Sequence, residues 1–551
     1  MKHIKNLFTK NFFYASMLIF SIVLAESCTK KYDSINIDKN SIATLGAADL
    51  PFLFSQAEST APGSYWNYQI AENLFADQYC QYFGCEATYF PSDRLVIRQD
   101  WVGAAFNPMY TSVAPQLQSI FAATDSATSA ENAMAQVWWV YTFQRVTDYW
   151  GPIPYFSVGT AGNSVPYDAQ KDIYADFINR LSGAVAVLHK HEGENHYGSY
   201  DLVYGGDVNR WIKFANSLRL RIAIRISKVD PTTAKSVGEA AVADGGGKWI
   251  MTTSAPITDP TAQTSGDDAF VQRSAKGGPD GNGLQSMSDW NEFRMSASMA
   301  SVLNGYHDPR LPQYFLPALN TGLYSGIRNG LSVAQLGLAP NQAANNSHDG
   351  QRWASTNVVD KNGNVLGSAN SIATAQNVMV VAETYFNRAE GAILGWNMGG
   401  TAKDLYNAGI TNSLIQWNVT NAAVQNAYIN SMNTPVAPGD GLNSPPMTNI
   451  PVLFNTSNNA VALEQIATQK WLALYPDGME AWADFRRSHV LKLYPVVNSD
   501  NPDITNTSTQ WIRRIPFLLS EQQTNGDAVS AAGALLGGPD KVTTPLWWDK
   551  N

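Results

Sequence analysis

The sequence predicts a mostly α-helical protein that carries a large irregular, loop-rich lobe. Three observations predict it. Apolar residues recur at helical spacing in several long segments, those segments pair across short Gly/Pro turns, and three long stretches show no period at all.

The first strong helix is expected over 132–150. Met134, Val137, Trp138, Tyr141 and Arg145 follow an i, i+3, i+4 register until Gly151-Pro152-Ile153-Pro154 breaks it. A second runs over 171–190, with Ile173, Phe177, Leu181, Val185 and Leu188 on one face. A third spans 210–228 and ends before Pro231; Leu220 and Ile224 lie off its main stripe, so it is expected to pack on more than one side. The segment 378–396 is expected to form a helix that turns at Gly399-Gly400 into another over 403–417. In that second helix Ala402, Tyr406 and Gly409 follow the four-then-three spacing of a tetratricopeptide repeat, although no 34-residue period runs through the chain. A last pair, 464–475 and 479–488, flanks Pro476-Asp477-Gly478. The stretches 244–290, 319–375 and 430–460 are rich in Gly, Ser, Asn, Asp and Pro, and are read as excursions from the helical scaffold that build an irregular surface.

With 551 residues the chain can bury a large core, and 11% of it is aromatic. The net charge is −9 with no Lys/Arg-rich run, which argues against nucleic acid and against a polybasic membrane patch. Residues 1–27 read as a signal peptide: Lys2, Lys5 and Lys10 precede an apolar run over 12–25, too short for a membrane span of about 20 residues. Leu24-Ala25-Glu26-Ser27-Cys28 resembles a bacterial lipobox, although Glu26 stands where a small residue is usual. Cys28 is therefore the expected lipidation site, and the polar stretch 28–41 an anchored tether to a single domain over 42–551. Thr29, in place of Asp, is compatible with sorting to the outer membrane. Cys80 and Cys85 lack partners at metal-ligand spacing and are either two buried thiols or a small disulfide.

Several motifs, taken together and in order, resemble the SusD/RagB family of outer-membrane nutrient-binding lipoproteins. They are Thr147-Asp148-Tyr149-Trp150-Gly151-Pro152-Ile153-Pro154-Tyr155, the helix from Arg210 to Leu218, His307-Asp308-Pro309-Arg310-Leu311-Pro312, Glu383 to Glu390, Trp482 to Arg487, Arg514-Ile515-Pro516-Phe517 and Thr544 to Asp549. The resemblance implies four divergent tetratricopeptide-type helix pairs forming a curved scaffold against the irregular lobe. It also implies a cell-surface protein that captures a glycan or oligosaccharide for a TonB-dependent SusC-type barrel transporter. Membrane contact would come through the lipid anchor alone, and the helical lobe would face the transporter. The same scaffold with a peptide cargo is one alternative, and a surface glycoside hydrolase another.

Most of these motifs read as structural, with Trp150 and Pro152 ending a helix and the arginines of 482–487 satisfying carbonyls or carboxylates. Sugar binding asks for flat aromatic faces beside Asn, Asp and Arg groups carried on loops. The candidates are Trp290 with Asn291 and Arg294, Trp66 with Asn67 and Tyr68, Tyr89 with Arg94, Tyr324, and Trp353 beside Arg352. Trp290 ranks first because it follows a Gly-rich stretch and sits among polar neighbours; Trp66 ranks second. For any single one of these aromatics, the reading that it anchors its own loop is the favoured one. No G-x-S-x-G elbow, H-E-x-x-H helix or phosphate-binding glycine loop is present, so no catalytic residue and no cofactor is assigned. His189, His191 and His196 form an H-x-H-x4-H cluster, with Glu192 and Glu194 between, that could bind a metal; they are read instead as a solvated helix end, and no metal is assigned.

Overall fold

The computed structural model describes residues 46–550 except 64, 161–163 and 277–279; the leader, Cys28 and the tether lie outside them. The described strands are four short pieces, the first being β1 (Phe83–Cys85). Helix α1 (Ala130–Trp150) starts where the Ser129 hydroxyl accepts the Asn132 N–H at 3.1 Å. It stops at Gly151, whose φ of 85° suits a residue without Cβ and whose N–H donates to the Thr147 carbonyl. Trp138, Tyr141, Phe143 and Trp150 are all buried, so this helix has no wet face to give it a clean stripe.

Helix α2 (Gln170–Leu188) packs on α1, and α3 (Val208–Ile226) packs on α2 and on α4 (Pro231–Ala243). Asp207 caps α3, and Asp230 caps α4 with Pro231 in its first turn. Strand β2 (Ala269–Val271), helix α5 (Gly283–Trp290) and strand β3 (Phe293–Met295) follow. Two of these elements lie within the stretch 244–290 that carries no period. Strand β4 (Gln376–Met379) pairs antiparallel with β2. That pairing takes the first residues expected of the 378–396 helix, so α6 begins only at Val381 and runs to Ile393. Helix α7 (Ala402–Gln416) folds back on α6. Helix α8 (Asn459–Leu474) starts five residues ahead of its expected start, because the Asn458 side chain caps Ala460 and Val461. Helix α9 (Gly478–Ser488) completes four successive pairs, α1/α2, α3/α4, α6/α7 and α8/α9.

A buried ionic network ties the pairs together. Arg221 of α3 forms a two-pronged contact with Glu383 of α6 at 2.7 and 2.6 Å, and Arg225 reaches Glu480 of α9 at 2.6 Å. Arg487 grips Glu390 with two bonds of 2.7 Å, and Lys470 of α8 contacts Asp484 at 2.9 Å. Burial pushes the Asp484 carboxyl up, but Lys470 and Arg487 outweigh it and hold the group well below the carboxylate range. Arg486 donates instead to the carbonyls of Asp148 and Arg513 at 2.8 and 2.9 Å. Trp548 is fully buried against this centre and donates from its indole to Asp148 at 2.9 Å. Cys80 and Cys85 are both free and buried, and burial raises both thiols above their usual range.

Candidate functional site

The site is organised by a two-stranded ladder. Strands β1 and β3 pair antiparallel in the register Phe83↔Met295, Gly84↔Arg294, Cys85↔Phe293. In such a pair the residues leaving one strand lie beside those entering the other. The Glu86 N–H accordingly donates to the Glu292 carbonyl at 3.0 Å. The Glu292 carboxylate then collects two loops: Gln69 donates to it at 2.6 Å, and the Tyr89 hydroxyl donates to its other oxygen.

Helix α5 feeds the same corner. The Asn282 side chain caps it at Leu284, and Asn291 ends it with φ of 60°, a left-handed conformation that Asn tolerates. Its first residue, Gly283, lies so close to Tyr68 that a Cβ there would sit 2.1 Å from the Cβ of Tyr68. The 65–69 segment is therefore pressed against α5. Burial and the charge of Asp289 both raise the Tyr65 hydroxyl above its usual value.

Beside this corner opens a cavity of about 610 Å³, within the range of small-ligand sites. Asn291 and Arg294 form one wall, Leu316–Leu319 and His348 another, and the turn around Asp360 a third. Arg294 is buried, and its guanidinium donates to the carbonyls of Ala343 and Phe293 and to Asn291 Oδ1 at 3.1, 2.6 and 2.6 Å. That bonding fixes Asn291 at the cavity edge. Asp289 and Asp360 are carboxylates on the lining. The Asn364 side chain and backbone N–H groups of its own turn hold Asp360 below its usual value, the opposite of what a general acid needs.

The structure divides the sequence candidates. Trp290, Trp66 and Tyr89 are 44%, 61% and 66% exposed, and all three sit on segments tied to α5 or to Glu292. Asn291 and Arg294 join them. Tyr68 is buried and donates to Asp77 at 3.0 Å, and Asn67 is half-buried with its carbonyl accepting from Ala71. Trp353 is buried against Trp417 and Tyr475, so it presents no face to solvent. Arg94 pairs with Asp500 at 2.6 Å, and Tyr324 is half-buried with its carbonyl accepting from Asn304. Sequence reasoning did not pick out Leu316–Leu319, His348 or the Asp360 turn. Leu319, His348 and the Asp360 turn fall in the polar stretch 319–375, which does not say which residues face inward, and Leu316–Ala318 lie just outside it with no signal of their own.

The model of the SusD-like family, described as SusD and RagB outer membrane lipoprotein, matches residues 33–549. No curated protein sequence matches the chain. Among solved structures, a chitin-binding SusD homologue from Flavobacterium johnsoniae is 31% identical with a TM-score of 0.78, over 91% of this chain and 99% of that one. A SusD homologue from Bacteroides uniformis is 28% identical with a TM-score of 0.78, over 92% and 100% of the two chains. One from Bacteroides vulgatus is 27% identical with a TM-score of 0.77, over 91% and 98%.

Proposed function

This chain belongs to the SusD/RagB family of outer-membrane lipoproteins, and on that premise we propose that it is a non-catalytic glycan-binding protein of the bacterial surface. In this reading residues 1–27 are removed and Cys28 carries the lipid. The domain over 42–551 then holds an oligosaccharide for a TonB-dependent SusC-type barrel. Among the described residues no helix is long and apolar enough to cross a membrane.

The observation that carries the reading is the cavity lined by Asp289, Asn291 and Arg294, with the exposed Trp290 lying in sequence between two of its lining residues. An indole face stacks on the C–H face of a sugar ring, and the Asn291 amide suits hydroxyl or acetamido groups. The chitin-binding homologue makes chito-oligosaccharides the first ligands to try. Asp360, held below its usual value by its own turn, is unsuited to act as a general acid at this cavity.

The test is calorimetric binding of the purified protein to a panel of glycans and peptides, with product analysis on every ligand. One glycan class is expected to bind unaltered, and Trp290→Ala to weaken it about tenfold or more, with Trp66→Ala a smaller loss. Binding of peptides alone would overturn the cargo, and any turnover would overturn the non-enzymatic reading.

A further inference from the structure

Away from the cavity, the connection between α2 and α3 brings three metal-ligating side chains together. The Nδ1 of His191 and the Nε2 of His196 lie 2.8 and 2.9 Å from the same oxygen of Glu194. The two rings face each other edge to face, with centroids 5.4 Å apart and planes at 87°. All three donor atoms lie within 4.8 Å of one another.

The outer nitrogens are equally committed. His191 Nε2 meets the Thr128 carbonyl at 2.7 Å, and His196 Nδ1 meets Glu131 Oε1 at 2.7 Å. Every ring nitrogen therefore faces an acceptor. Two arrangements satisfy that geometry: four ring protons, or protons on the outer nitrogens alone with a cation between the inner lone pairs and the carboxylate. The outer contacts, one to a carbonyl and one to a carboxylate, are those that orient metal-bound imidazoles. The backbone is pinned as well, since His196 N donates to the Gly206 carbonyl and Gly193 N to Asn209 Oδ1.

We infer that His191 Nδ1, His196 Nε2 and the Glu194 carboxylate form a binding site for a divalent transition metal, zinc above all. Two imidazoles with one carboxylate suit zinc, cobalt, nickel or copper, whereas calcium and magnesium take oxygen ligands. Zinc holds N and O donors at about 2.0–2.2 Å, which requires these atoms to open by a few tenths of an ångström. Glu194 can supply that movement, because its side chain is 51% exposed. A fourth position stays open to water. The bound ion would clasp the α2–α3 connection to the turn ahead of α1 through Thr128 and to the first turn of α1 through Glu131.

The experiment is titration of the untagged full protein with zinc chloride alone, followed calorimetrically and by thermal melting. One zinc per chain and a raised melting temperature are expected. His191→Ala and His196→Ala should each lower affinity at least thirtyfold and abolish the thermal shift. Glu131→Gln, which orients a ligand without touching the metal, should weaken binding about tenfold at unchanged stoichiometry. His189→Ala should leave binding within twofold, because His189 pairs with Glu192 and Asp244 instead. Cobalt(II) in the wild-type site should give the visible bands of a four-coordinate ion. The inference is overturned if zinc does not saturate at one site, or if binding survives loss of both histidines.

Discussion

Asp268 shows how much one oxygen atom can decide. Its Oδ1 accepts from the Val381 N–H at 2.8 Å and from the Ser254 hydroxyl at 3.1 Å, while its buried Oδ2 has no partner among the described residues. Burial pushes the carboxyl up to about 7, so the partnerless oxygen carries a proton in mild acid. The folded value lies above the unfolded one. Stability from this group is therefore complete below about pH 4 and is lost as pH rises to about 7, by at most about 1.4 kcal/mol per pH unit. Asp268→Asn keeps both bonds at the amide oxygen and cannot titrate. Denaturation of both proteins from pH 4 to 8 should show the wild type losing stability relative to the variant, then running parallel above pH 7. Parallel curves throughout would mean that Asp268 is ionised. Individual aromatics were less legible than this acid–helix contact is in structure. Trp66, Trp290 and Tyr89 face solvent while Trp353 and Tyr68 are buried, yet all five sit among similar polar neighbours in sequence. What separates them is long-range: Trp353 meets Trp417 and Tyr475, and Tyr68 meets Gly283.

Helices were the legible elements, since their signal is local. The period placed α1, α2, α3, α7 and α9 to within a few residues. It failed where a partner distant in sequence intervened, as when β2 claims residues 376–379 as a strand. The α6/α7 pair also explains the four-then-three spacing of Ala402, Tyr406 and Gly409. Tyr406 is buried and donates to the Val452 carbonyl at 2.8 Å, and a Cβ on Gly409 would sit 2.7 Å from the Phe386 ring. Alanine is a better helix former than glycine by about 1 kcal/mol, so propensity alone predicts that Gly409→Ala stabilises. Packing predicts the reverse, a net loss of about 1–3 kcal/mol as Phe386 is displaced, read by urea denaturation. A gain in stability would show that α6 and α7 can separate without cost.

At the scale of the whole molecule the ionic network decides cooperativity. Arg225 lies between Glu480 and Asp148, so it joins α3 to both α9 and α1. Arg225→Met leaves two buried carboxylates under-compensated, and a loss of about 3–5 kcal/mol is expected in chemical denaturation. A change below about 1 kcal/mol would show that water reaches this centre and screens it. The irregular lobe resisted reading at this scale for a physical reason. Its walls, Leu316–Leu319, His348 and the Asp360 turn, converge through loop closure, which leaves no periodic trace in sequence.

The indole of Trp548 occupies the middle of that network, bonded to Asp148 and lying 5.2 Å from the guanidinium groups of both Arg225 and Arg486. A shortened chain that stops at residue 540 is accordingly expected to be digested by protease at the pace of an unfolded polypeptide; resistance like that of the full protein would refute this. Ribosomes make residue 148 long before residue 548. The centre that Arg225 and Arg486 build around Asp148 is therefore completed only when residue 548 arrives, among the last residues of the sequence.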